Sequence, residues 1–167
     1  MNTPDVLQNS NLMVIQAVDG LPETDWDIPG ACGEWSVKDI IAHFASYEQV
    51  ILDVLTSFRE GEPTPYVLHW VNQPDAFNVT EVEKRKYLTA QQVMDEYQNL
   101  QVQATSLLMQ IPADGVQQRG TMPWYRKECC LADFIDLIYA HAREHCMQIA
   151  LFRQRPNLDF ERGASTS

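Results

Sequence analysis

The chain has few cysteines and no way to use them as a framework. There are four in 167 residues, Cys32, Cys129, Cys130 and Cys146, and none forms a CxxC pair. That excludes a disulfide scaffold or a thiolate metal cage as the organising element. The adjacent Cys129 and Cys130, and Cys146 further on, read as small buried hydrophobes. Basic residues are also scarce: 12 Lys and Arg stand against 23 Asp and Glu, a net charge of -11. Such a charge opposes the counterion release that drives binding to nucleic acid or to anionic lipid, and both partners are excluded on that ground. No apolar run approaches the roughly 18 residues of a membrane span. The opening "MNTPDVLQNS" lacks the basic and apolar regions of a signal peptide, so a cytoplasmic location is expected. Strand-like alternation is nearly absent, and no internal repeat is visible.

Helical periodicity is abundant. Thr3, Pro4 and Asp5 read as N-cap, first helical residue and first-turn acid, ahead of Leu7, Met13, Val14, Ala17 and Val18 at helical spacing, with a stop near Asp19-Gly20. The next stretch, "DGLPETDWDIPGACGEW", is a long loop whose Trp26 and Trp35 are expected to tuck against the core. Ser36 to Asp39 resembles a capping box, followed by Val37, Ile40, Ile41, Phe44, Ile51 and Leu55 up to about Glu60-Gly61. Three prolines exclude a continuous helix through "GEPTPYVLHWVNQPDAFN". Thr80 to Glu83 restarts a short helix, and Thr89 to Gln92 opens a long one running through Val93, Tyr97, Leu100, Ala104, Leu107 and Ile111. After a further turn-rich segment, a final helix runs from about Leu131 to Arg155, ended by Pro156. The expectation is all-α: a four-helix bundle with long crossover connections, one domain over residues 1–156 and a tail over 157–167.

In the final helix, "IYAHAREHCMQIA" places His141 and His145 four apart, on a stripe with Phe134, Ile138, Gln148 and Phe152. On the second helix His43 lies beside the main apolar face, on a stripe with Ser36, Ile40 and Tyr47. Three of the four histidines thus share one candidate interior point. Core histidines satisfied by neighbours are one reading. A metal site is the other, because one divalent ion satisfies three ring nitrogens together. "HAREH" also matches the H-x-x-E-H protease motif, but Glu144 is rotated about 100° from His145 on a helix and reads as an exposed carboxylate.

The segment "EWSVKDIIAHFASYEQVIL", with its H-x-A-x-x-E pattern, resembles the second helix of the DinB-like four-helix-bundle superfamily. "AHAREHCMQI" resembles that superfamily's H-x-x-x-H on the last helix. "PDAFNVTEVEKRKYLTAQQVMDEY" is similar to the Asp-x-x-Asn stretch of the branch holding mycothiol-dependent maleylpyruvate isomerase domains and colibactin self-protection proteins. The resemblance implies an up-down-down-up bundle, frequently a homodimer, with a divalent metal held by His43, His141 and His145. Three neutral imidazoles suit Zn or Ni and leave a coordination position open. The isomerases carry a further C-terminal domain not contained in this sequence, so isomerisation itself is not carried over.

What the resemblance implies chemically is a metal-dependent transferase using a low-molecular-weight thiol, or a hydrolase, acting on a small molecule. The alternatives are a protein that sequesters a reactive metabolite, and a metal-free bundle with a polar histidine cluster. Tyr47 is the weak candidate for a catalytic role, with simple packing as its other reading. Asp75 and Asn78 either cap the short helix, the favoured reading, or line the pocket. Trp70, Trp124 and Tyr125 are candidates for either a substrate wall or a core lid. His69 is expected to be a surface or lid histidine in a loop outside the constellation, with a proton donor reaching the site as its other reading.

Overall fold

The computed structural model describes residues 2–60, 65–155 and 158. Its helices are α1 (Thr3–Val18), α2 (Val37–Glu60), α3 (Pro65–Asn72), α4 (Pro74–Lys84), α5 (Ala90–Leu108), α6 (Ala113–Gln117) and α7 (Leu131–Arg153). A short 3-10 turn lies at Glu23–Asp25, and there is no strand among the described residues. None of these helices is long and apolar enough to cross a membrane.

Most helix starts are built by local side-chain bonds. The Asp39 N–H donates to Ser36 Oγ at 3.2 Å while the Ser36 N–H donates to Asp39 Oδ2 at 3.0 Å, so two orphan donors of α2 are satisfied reciprocally. Thr89 and Gln92 do the same for α5. Helix α1 begins one residue earlier than its Thr-Pro-Asp signal suggests. Asn2 is the cap, its Oδ1 accepting from the Asp5 N–H at 3.0 Å, and Thr3 is already helical. At α7 the Cys130 N–H donates to Asp133 Oδ2 at 3.1 Å. Cysteine is not a residue whose type announces a cap, and the sequence shows no such signal.

The crossover between α2 and α5 departs most from expectation. Its prolines do break the helix, but two of them also start one: Pro65 and Pro74 are the first residues of α3 and α4. A first-turn proline lacks only an N–H that the helix would leave unpaired anyway. Helix α4 therefore begins six residues before Thr80, and His69 and Trp70 are helical rather than in a loop. Asp75 lies in the first turn of α4, but the N-cap position is Gln73 and Asn78 is inside the helix, so Asn78 is not a cap.

Helix α2 packs mainly along α5, and α1 mainly along α7. The buried apolar side chains fall into two clusters. One joins Val6 and Leu7 of α1, Val50 to Leu55 of α2, Leu108 of α5 and Leu131 to Ile138 of α7. The other joins Val14 and Val18, Val37 to Ala45, Val93 and Tyr97, and Ala142 to Phe152. The C-terminal halves of α1 and α7 thus share one end with the N-terminal halves of α2 and α5. Each fully buried Ile or Leu contributes about 1.5–3 kcal/mol, so both halves are held mainly by apolar burial. Leu158 is buried in the second cluster; residues 159–167 of the expected tail, and Pro156 as the expected helix end, lie outside the described residues.

A polar network and an aromatic stack fix the crossover. Arg85, at the end of α4, makes a forked pair with the Glu96 carboxylate of α5 at 2.7–3.1 Å, and bonds buried Glu81 at 2.9 Å. Tyr66 of α3 also donates to Glu81. The Trp70 ring stacks on Tyr125 at 5.4 Å and meets Phe134 edge-on at 5.8 Å, pinning α3 to the segment before α7.

Candidate metal centre

The seam between the two apolar clusters is polar. On α2 it carries His43 and Tyr47, and on α7 His141 and His145, the i, i+4 pair facing inward. His43 is 1% exposed and His145 9%, with His141 half-buried. His141 Nε2 lies 3.3 Å from His43 Nε2 and 3.1 Å from His145 Nε2. The three rings each offer a nitrogen within 4.8 Å of the others, the one group of this kind among the described residues. Glu144 is exposed and outside it, as the helix rotation requires. His69 is also outside; its ring stands edge-on to Phe77 at 5.5 Å.

The donor set suits a cation. Gln148 Oε1 lies 2.7 Å from His145 Nδ1 and accepts its proton, leaving His145 Nε2 with a bare lone pair. The two close Nε2 contacts then have to share a single proton, which neither contact can use fully. Two ligands of a tetrahedral zinc ion, each at 2.0–2.1 Å, stand about 3.3 Å apart. His141 stands at that spacing from each of the other two, and all three lie within 4.8 Å of one another, so the residues fit a three-histidine metal site. Burial, reinforced by His141 and His145, lowers the His43 pKa to about 2; burial and then His145 lower that of His141 to about 4. Both imidazoles are neutral at neutral pH, with lone pairs available to a metal.

The surroundings are aromatic. The Trp35 ring lies 5.0 Å from that of His43, brought there by the loop turn in which Cys32 and Trp35 pair and Gly33 takes φ +57. Tyr47 presents its ring to His43 at 4.6 Å and to His141 at 4.8 Å. Its hydroxyl is committed elsewhere, accepting from Trp70 Nε1 and donating to Asn78 Oδ1, both at 3.2 Å. Asn78 and Trp70 therefore hold the tyrosine that walls the histidines, and Trp70 is buried as a core lid. Trp124 and Tyr125 pack half-buried against the first apolar cluster.

Glu48 is the neighbour that periodicity did not single out. It is 5% exposed, its Oε2 has no hydrogen-bond partner, and burial raises its pKa to about 8. It lines a cavity of about 10 Å³, room for a single water, together with Ser10, Tyr47, Tyr97 and His141. The available signal was a lone acid in the inward-facing run between His43 and Val50. Cys146, beside His145, is buried, and that burial raises its thiol to about 11, so it is not a thiolate nucleophile.

No curated protein matches this sequence. A crystal structure of a protein from Streptococcus pneumoniae superposes with a TM-score of 0.75, covering 91% of this chain and 88% of the other at 11% identity; it shares the fold. The family profile described as the DinB superfamily matches residues 10–149, taking in α2 and α5 whole, parts of α1 and α7, and all three clustered histidines. The chain belongs to the DinB superfamily.

Proposed function

We propose that this protein is a metal-dependent enzyme acting on a small molecule, of the type that transfers a low-molecular-weight thiol, with His43, His141 and His145 as ligands to a Zn or Ni ion. The observation that carries this reading is the convergence of three imidazoles from two helices, with His141 Nε2 at 3.3 Å from that of His43 and 3.1 Å from that of His145, and with His43 and His141 kept neutral by burial. A bound ion of this kind supplies Lewis acidity, lowering the pKa of a coordinated water or thiol. The chain does the rest. Gln148 fixes the tautomer of His145, while the rings of Trp35 and Tyr47 keep bulk water from His43. With its hydroxyl bonded to Trp70 and Asn78, Tyr47 serves this reading as a wall and not as a proton donor.

Elemental analysis of untagged protein tests the metal, with near-stoichiometric Zn or Ni expected and its loss in His141→Ala. No bound metal, and no fall in melting temperature on chelation, would sink the reading. Turnover tests the chemistry: bacillithiol, mycothiol and glutathione, each offered with an electrophile, should give saturable activity that His43→Ala abolishes. Binding without turnover would leave sequestration in its place. The same reading includes a homodimer, supported by exposed Leu12 on α1 and by Leu137, Met147 and Leu151 on α7, and testable by sedimentation equilibrium.

A further inference from the structure

We propose that Glu48 is a positioning residue of the histidine site, holding the imidazole of His141 across the cavity that the two side chains share. The inference rests on the metal-centre reading above. A buried carboxyl group with an oxygen that meets no donor is costly, and an apolar side chain of similar size would avoid that cost. Nothing in the apolar packing of α2 calls for an acid there. No ion pair or hydrogen bond to Glu48 occurs within the described residues, and the hydroxyl of adjacent Tyr47 is already spent on Trp70 and Asn78.

The three imidazoles differ in what holds them from outside. His145 is held through Nδ1 by Gln148. His43 Nδ1 is buried without a partner, and His141 bonds only through Nε2, toward the other two rings, with no hydrogen bond from its outer nitrogen among the described residues. Ligating histidines generally give that outer nitrogen to a carboxylate, a carbonyl or a water, which fixes ring orientation and raises basicity. The cavity beside His141 holds one unpartnered acceptor, Glu48 Oε2, and has room for one water between them. Helix α2 thereby supplies one imidazole of the site in His43 and, one turn on, the acceptor that orders an imidazole from α7.

The test uses the untagged full chain as wild type, Glu48→Gln and Asp53→Asn. Asp53 is a second buried acid on α2 with an unpartnered oxygen, and it does not line the cavity. Zn²⁺ affinity is read by competition with a chromophoric chelator, and the ligand field from the visible bands of the Co²⁺ form. Glu48→Gln should weaken Zn²⁺ about 10–100-fold and shift the Co²⁺ bands at unchanged 1:1 stoichiometry, while Asp53→Asn changes neither. At pH 8, where the buried acid no longer favours wild type, metal-free Glu48→Gln should melt no lower than wild type. Wild-type affinity and bands in Glu48→Gln overturn the proposal, as does an equal loss in Asp53→Asn or a loss that follows a lowered metal-free melting temperature. A wild type that binds neither Zn²⁺ nor Co²⁺ overturns the metal reading itself, a separate result.

Discussion

Exchanging Glu48 for Gln also makes a quantitative prediction about the metal-free fold. Burial lifts this acid from 4.5 to about 8, so the folded chain keeps a proton that the unfolded chain gives up. That contribution is complete below pH 4.5 and is lost as the pH rises through 8. His43 and His141 act in the opposite sense, lowered from 6.5 to about 2 and about 4. Their contribution stands above pH 6.5 and is lost as the pH falls toward those lower values. Between pH 7 and pH 5, each histidine removes about 2 kcal/mol of stability while Glu48 adds about 2.5 kcal/mol. From these three groups, wild type therefore loses about 1 kcal/mol over that range and Glu48→Gln about 4 kcal/mol. Urea unfolding at pH 5, 6, 7 and 8, with a chelator present, reads the difference directly. A gap between the two proteins that stays flat within about 0.5 kcal/mol across that range would refute the reasoning, since Glu48 would then not be held as the acid.

Other outcomes follow from single contacts. Tyr47→Phe strands Trp70 Nε1 and Asn78 Oδ1, and should lower stability by about 1–3 kcal/mol in urea titrations while leaving metal content unchanged. Arg85→Ala removes the cation that buried Glu81 shares with Glu96, while Lys84 still pairs with Glu81; a loss of about 1.5–3 kcal/mol is expected, and one below about 0.5 kcal/mol would show the network to be superficial. Asp39→Ala removes one half of the reciprocal bond at the start of α2 and should cost about 1 kcal/mol, with the melting temperature as readout.

The parts of this molecule legible in its sequence are those decided by neighbours a few residues apart. Ser36 with Asp39 and Thr89 with Gln92 mark helix starts because both partners of each bond lie within one turn. His141 and His145 share a face for the same reason. The long-range parts were harder to read. His43 meets His141 across 98 positions, and helical stripes alone left a satisfied core cluster as an equal explanation. Pro65 and Pro74 read in sequence as breakers, yet the missing N–H that excludes proline from a helix interior is the same property that admits it at the first turn. Asn78 reads in sequence as a cap or a pocket residue, because only the folded crossover brings the Tyr47 hydroxyl to it. Glu48 stood in the quoted motif, but a carboxyl's lack of partners is a property of three-dimensional surroundings that no spacing encodes.

The division of the core into two apolar packs bears on how the bundle opens. Each pack draws on all four long helices, so each is a candidate cooperative unit, with the imidazoles as the joint between them. Whatever fills that joint then acts as a rivet through α2 and α7. In amide exchange, the metal-free chain should release its halves separately, and an occupied joint should make them open together.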